Sequence, residues 1–245
     1  ASGSHHRMSF SRQFNGMDPL EMHNEDVEEG VVDSWGNFIF YREVWYMVYV
    51  LCHENTTAPY CRGRTVGRVY SLAGAGGKGD GSSGEPAVNA AVGVISAIEV
   101  DLHGNIYLAD ADYPRVRVVC HNTHALAGFC NGKKYGYVYH FAGTGTSGDG
   151  AQSATPTSSA VGTVNDIAVD RSGNVYLADS TNSTTHRIRA ICLNPEVGIG
   201  YCAGKTAGTS YRMLAVAEAD GAGSVAFDAG TAATQVGDIM SIAVD

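Results

Sequence analysis

Apolar and polar residues alternate along most of this chain in runs of five to eight, and the runs are separated by clusters of Gly, Asp, Asn and Ser. Alternation with period two places successive side chains on opposite faces of a strand. Frequent Gly and Asn between the runs mark tight turns. No segment sustains apolar spacing at i, i+3, i+4 and i+7, so little helix is expected. The pattern predicts an all-β protein of many short strands.

The strands recur as a set. Val100-Asp101-Leu102-His103-Gly104-Asn105-Ile106-Tyr107-Leu108-Ala109-Asp110 returns as Val169-Asp170-Arg171-Ser172-Gly173-Asn174-Val175-Tyr176-Leu177-Ala178-Asp179. A degenerate copy, Val32-Asp33-Ser34-Trp35-Gly36-Asn37-Phe38-Ile39-Phe40, lies upstream, and Ile242-Ala243-Val244-Asp245 begins a fourth. The spacings between the aspartates are 68, 69 and 75 residues. Each unit reads as four antiparallel strands. The first ends at the Asp, and a turn Asp-x-x-Gly-Asn follows, where Gly and Asn tolerate the left-handed backbone of a hairpin. The second ends at Ala-Asp. The third is Arg115–Val119 or Arg187–Ile191. The fourth is Arg68–Ala73, Tyr137–Ala142 or Tyr211–Val216. Four short strands repeated at a fixed period predict the blades of a β-propeller. The expected units are about 27–94, 95–163 and 164–236, with the leading strand of another at 237–245 and a non-repeat segment at 1–26.

The segments Val-Asp-x-x-Gly-Asn-x-Tyr-x-Ala-Asp, Arg-Val-Arg or Arg-Ile-Arg, and the Tyr-x-x-Ala-Gly-Thr-Gly-Thr-Ser-Gly-Asp-Gly at 139–150 resemble NHL repeats. The resemblance covers residues 27–245. It implies a β-propeller, and it is far less specific for function, because propellers of this kind include scaffolds, adhesion modules, protein- and RNA-binding domains and a few lyases. Phased cysteines make the chain similar to the disulfide-bearing propellers of large surface proteins, mastigoneme-like proteins among them. The lyases of this fold hold a metal through several histidines near the axis. No such set matches here, so no catalytic residue is carried over.

Six cysteines fall in phase with the repeat, each first one closing a third strand and each second one preceding a fourth. Six cysteines allow 15 connectivities. The repeat phase selects Cys52 with Cys61, Cys120 with Cys130, and Cys192 with Cys202, since a pair flanking the same connection in every unit meets locally. An even, phased set points to an oxidising compartment. The sequons at Asn55 and Asn182 are candidate glycosylation sites and agree with an extracellular setting.

Other motifs offer less chemistry. The Gly-rich segments 74–81 and 143–150 look like phosphate cradles but lack a following helix N-terminus, and are expected to be inter-blade connections. Asp80 and Asp149 within them are weak candidates for Ca²⁺, because one carboxylate per loop is a thin ligand set. Asp33, Asp101 and Asp170, like Asp110 and Asp179, recur with the repeat and are expected to bond turn amides rather than to act as catalytic acids. His121 and His124 are expected on an exposed outer loop. The apolar run 38–50 suits core strands of the first unit, with a surface for a partner chain as the alternative.

Hydrophobic residues make up 44% of the 245, enough for a sizeable core, and the net charge is −9. That charge argues against nucleic acid, whose binders carry a basic footprint. No apolar run reaches the length of about 18 residues that a membrane helix needs, and residues 1–29 show no signal-peptide pattern. Three units and one leading strand fall short of the usual propeller of about 4–8 blades. The expectation is a piece of a larger extracellular protein, or a filament subunit whose open edge docks on copies of itself or on another protein partner. The function expected is a non-enzymatic structural or adhesion module. The alternatives are a secreted metal-dependent lyase or hydrolase and a glycan- or protein-binding module.

Overall fold

The computed structural model describes residues 15–19, 27–53, 57–124, 128–182, 185–194, 200–219, 222–227, 232–233 and 241–244. These form strands, turns and single 3-10 turns, with no α-helix among the described residues. The strands build three antiparallel sheets. The first contains β1 (Asn15–Met17), β2 (Glu29–Val32), β3 (Phe38–Arg42), β4 (Met47–Leu51) and β5 (Val69–Ala73), in the order β1-β5-β4-β3-β2. The second contains β6 (Glu85–Pro86), β7 (Ile95–Val100), β8 (Ile106–Asp110), β9 (Arg115–Cys120) and β10 (Tyr137–Ala142), in the order β6-β10-β9-β8-β7. The third runs in chain order through β11 (Thr163–Val169), β12 (Val175–Asn182), β13 (Thr185–Cys192), β14 (Thr209–Ala219), β15 (Ala222–Phe227) and β16 (Ala232–Ala233).

Period-two alternation decides which core each residue joins. On β3, Ile39 and Tyr41 join a cluster shared with Ile106 and Leu108 of β8, so they pack sheet one on sheet two. Phe38 and Phe40 face the other way, with Met47, Tyr49 and Trp45. Tyr107 and Ala109 of β8 pack with Val175 and Leu177 of β12, joining sheet two to sheet three. Tyr176 turns to the far face with Ala190 and Ile242. The first strands lie side by side, β7 between β2 and β11. The apolar run 38–50 is therefore a buried hairpin, with a 3-10 turn at Glu43–Trp45.

Three features differ from the pattern-based expectation. First, the sheets have five, five and six strands rather than four. The extra edge strand of sheet one comes from residues 15–17, within the segment expected to lie outside the repeat. Met17 sits opposite Val69 as Glu85 sits opposite Val138 in sheet two, and Ala154 bridges to Ser210 in the third unit. The two-residue contacts are too short to show as alternation. A positive φ precedes each of them, at Gly16 (90°), Gly84 (85°) and Ser153 (58°). Serine is the poorer fit, because its Cβ crowds the backbone in the left-handed region. Ser153→Gly is expected to raise the unfolding free energy by about 0.5–1 kcal/mol, the relief of strain exceeding the added chain entropy of glycine. Urea unfolding measures it, and a destabilised variant would contradict the account.

Second, sheet three continues where the others stop. At the end of the fourth strand Gly74 (φ 101°) and Gly143 (φ 86°) turn the chain out of the sheet, and a Cβ there would overlap the backbone of Tyr46 or Pro114. Ala215 stands at the corresponding place in the third unit. An L-residue resists that conformation, and β14 runs on to Ala219 before returning as β15. Third, Ser241–Val244, the described part of the leading strand expected at 237–245, are not in a strand. They still dock on β11, the first strand of sheet three: Ser241 Oγ and Ile242 N both donate to Asp166 Oδ2, at 2.7 and 2.8 Å.

Candidate functional site

The polar residues of the repeat converge at two places in every unit and at a third in the second and third units. The Asp-x-x-Gly-Asn turn is the simplest. Asp101 accepts from the amides of His103 and Asn105 and from Asn105 Nδ2, all within 2.9 Å. Asp33 and Asp170 do the same in their units, and each also accepts from a tyrosine hydroxyl, Tyr60 and Tyr176 respectively. The expected Asp-to-amide bonding is present. The glycine carries the positive φ, 82–84° in all three. The asparagine does not share it. Its amide is a staple instead: Asn37 Oδ1 accepts from His53 N, Asn105 Oδ1 from His121 N and Asn122 N, and Asn174 Oδ1 from Leu193 N and Asn194 N. Each recipient follows the first cysteine of a pair, so the turn holds the start of the disulfide loop. The phase of Asn with Cys along the sequence was the available signal.

The disulfide loops form the second convergence. The bonds are Cys52–Cys61, Cys120–Cys130 and Cys192–Cys202, with Cα separations of 5.8, 5.5 and 5.4 Å. A cation three residues past each second cysteine lies over the ring of a tyrosine nine past it: Arg64 over Tyr70 at 4.5 Å, Lys133 over Tyr139 at 4.4 Å, and Lys205 over Tyr211 at 4.6 Å. Lys133 and Lys205 also stack on Phe129 and Tyr201. The tyrosine hydroxyls accept backbone amides of Thr65, Lys134 and Thr206. Cation–π pairs that also order a turn brace the approach to the fourth strand. The spacing Cys-x-Gly-(Lys/Arg)-x-x-Gly-x-x-Tyr was legible and was missed. Asn55, a candidate glycosylation site, lies outside the described residues, and Asn182 is the last residue of β12.

The third convergence joins the second and third strands of a unit to the Gly-rich connection that precedes it. Arg117, Arg187 and Arg189 are among the largest fully buried side chains. In the second unit Arg117 Nε donates to Asp110 Oδ2 (3.2 Å) and its Nη2 to Asp80 Oδ1 (2.6 Å), while Arg115 Nη2 reaches Asp80 Oδ2 (2.9 Å). Asp110 also accepts the amides of Gly93 and Tyr113. The third unit repeats the arrangement: Arg187 Nη2 and Arg189 Nε donate to Asp179, both at 3.0 Å, while Asp149 accepts from Arg189 and Arg212 and is ion-paired with Arg187. His140 occupies the place of Arg212 in the second unit. Its ring nitrogens meet Arg115 and Arg117, and burial together with those guanidinium groups holds its pKa below the usual histidine value.

Asp80 and Asp149 are thus held by guanidinium groups rather than poised for Ca²⁺. A calcium ion takes six to eight oxygens, and here the neighbours are cationic nitrogens that oppose it. Among the described residues no group of three or more His, Cys, Asp and Glu is arranged to hold a metal ion. The first unit lacks this charged layer. Arg42, Tyr49 and Met47 stand where the others have Asp, Arg and Arg, and Met47 and Tyr49 are fully buried in an aromatic cluster.

The first strands carry acids. Glu29 on β2 and Glu99 on β7 each feel Asp166 on β11. Burial, then Asp166 and Asp101, push Glu99 up to about 7. The folded state therefore binds a proton that the unfolded chain releases near pH 4.5, and stability from this group falls as pH rises between those values. Glu99→Gln is expected to stabilise the protein by about 1–2 kcal/mol above pH 7, after discounting for partial solvation, and to leave stability unchanged below pH 4. Thermal melts of both proteins across that range check it, and an equal effect at both ends would sink it.

No family model and no curated protein matches the chain. Among solved structures the chain is similar to a structural genomics protein of unknown function from Bacteroides thetaiotaomicron VPI-5482. The match has 20% identity and a TM-score of 0.40, and covers 60% of this chain and 30% of that one.

Proposed function

We propose that the three sheets are consecutive blades of a β-propeller of the NHL-repeat type, and that the chain is a non-enzymatic structural or adhesion module of the extracellular space. The observation that carries this reading is the placement of the repeat's polar residues. Each recurring Asp, Arg, Asn and Cys is spent on joining strands within a sheet or one unit to the next, which is the work of a scaffold. Side-by-side first strands, with disulfide loops toward the outer strands, suit a radial arrangement. Three local disulfides suit an oxidising compartment. No helix among the described residues is long and apolar enough to cross a membrane.

In this reading the remaining blades come from further units of a larger protein, from a copy of the chain or from another protein partner. Electron microscopy of the purified protein at rising concentration tests this. Toroidal particles or end-to-end assemblies support the reading. Dispersed particles with three sheets in a linear stack reject it.

A further inference from the structure

At the outer rim, where the disulfide loops of the first and second units meet, lies a cavity of about 470 Å³ lined by Pro59, Arg62, His121, Asn122, Thr123, His124 and Tyr135. Its volume falls within the range of about 300–1,000 Å³ typical of small-molecule sites. We propose that this cavity binds an acidic saccharide unit, such as a uronic acid at a glycan terminus. The inference goes beyond the scaffold role and stands whether or not the sheets belong to a closed ring.

The lining has the chemistry of such a ligand. Among the described residues it contains no carboxylate, in a chain of net charge −9. Arg62, exposed, offers a planar fork of donors for a sugar carboxylate. Asn122, Thr123 and His124 add donors and acceptors for hydroxyls. Tyr135, 55% exposed, presents its ring for the apolar face of a pyranose, with Pro59 beside it.

The walls are tied to one another by contacts across the two units. Tyr135 OH donates to Pro59 O at 2.8 Å, tying the second unit's loop to the first. His121, expected on an exposed loop, is only 7% exposed and packs edge-on against both Tyr60 and Tyr135, with centroids 5.2 and 5.3 Å away. Burial, then the neighbouring Arg64, hold its pKa down at about 3, so its ring is neutral at physiological pH. His121 Nδ1 and Arg64 Nη1 are buried with no hydrogen-bond partner. Unsatisfied nitrogens of this kind are costly. His121 lines the cavity and Arg64 does not, so the imidazole nitrogen is the one that a sugar hydroxyl in the cavity would satisfy. Arg64 is coupled electrostatically to both His121 and Tyr135, so the guanidinium charge bears on the cavity, whose described lining contains no carboxylate.

Titration of the intact, oxidised protein with glucuronate, followed by amide and side-chain NMR, tests the proposal. Glucuronate at about 10 mM is expected to shift His121, Asn122, His124 and Tyr135 resonances, with glucose weaker by at least about tenfold. Arg62→Ala, at an exposed position, is expected to weaken binding by about tenfold while leaving the melting temperature unchanged, whereas Tyr135→Ala is expected to weaken binding and also to lower the melting temperature, because it removes the bond to Pro59 and the packing on His121. Absence of shifts at these residues, or shifts that persist in Arg62→Ala, would overturn it. Equal binding of glucose would reject the acidic ligand, and equal binding of acetate or sulfate would reduce the site to a simple anion hole.

Discussion

Asp179→Ala is expected to lower the unfolding free energy by about 3–5 kcal/mol, the cost of leaving a buried charge without its partner. Asp179 has a fully buried side chain and accepts from Arg187, Arg189 and the amide of Gly162. Both arginines are themselves buried to within 2% of full coverage. Removing the carboxylate leaves Asp149 alone to face Arg187, Arg189 and Arg212. Arg212 is a third exposed and Asp149 about half exposed, so solvent screens that remainder only in part. Replacing Asp179, Arg187 and Arg189 together by apolar residues of similar volume is expected to cost far less, because the desolvation penalty disappears with the charges. Denaturant unfolding at neutral pH measures both variants. A loss below about 1 kcal/mol for the single change would mean that water reaches the layer and that it behaves as a surface ion pair.

Reduction of the three disulfides is expected to have the largest effect of all. The bonded cysteines are 9, 10 and 10 residues apart, so the chain-entropy model assigns about 2–3 kcal/mol to each. The sum, about 6–9 kcal/mol as an upper bound, rivals the total stability of about 5–15 kcal/mol of an ordinary domain. The reduced protein is expected to unfold near physiological temperature. The Cys52→Ser/Cys61→Ser pair alone is expected to lower the melting temperature by about 5–10 °C. Calorimetry with and without reductant reads the shift, and intact mass confirms the gain of six hydrogens from six cysteines. A shift of only a few degrees for full reduction would show that the Asn staples and cation–π clamps hold the loops unaided. These are the bonds from Asn105 Oδ1 to the His121 and Asn122 amides and the stacking of Lys133 between Phe129 and Tyr139.

Much of this molecule was legible because its information is local and repeated. Alternation assigned the strands, and phase assigned the cysteine pairs, because both depend on neighbours within about a dozen residues. The hidden parts depend on contacts between units. Asp80 and Arg117 are 37 residues apart, and nothing in the Gly-Asp-Gly segment announces a guanidinium partner. For that reason a lone carboxylate in a glycine loop resembled a cation ligand. His121 looked exposed beside a cysteine because its burial comes from Tyr60 of the preceding unit.

By itself the sequence determined the four repeated strands of each unit, the aspartate-and-glycine turns and the local disulfides, through period-two patterning, glycine conformational freedom and short loop closure. The tertiary structure alone decided which charges meet, that residues 15–17 join the first sheet, that sheet three runs on past Ala215, and that a polar cavity opens between two disulfide loops. The physical reason is that these depend on the stacking of one sheet on the next. Burial there sets the strength of every ion pair and the cost of every unpaired nitrogen.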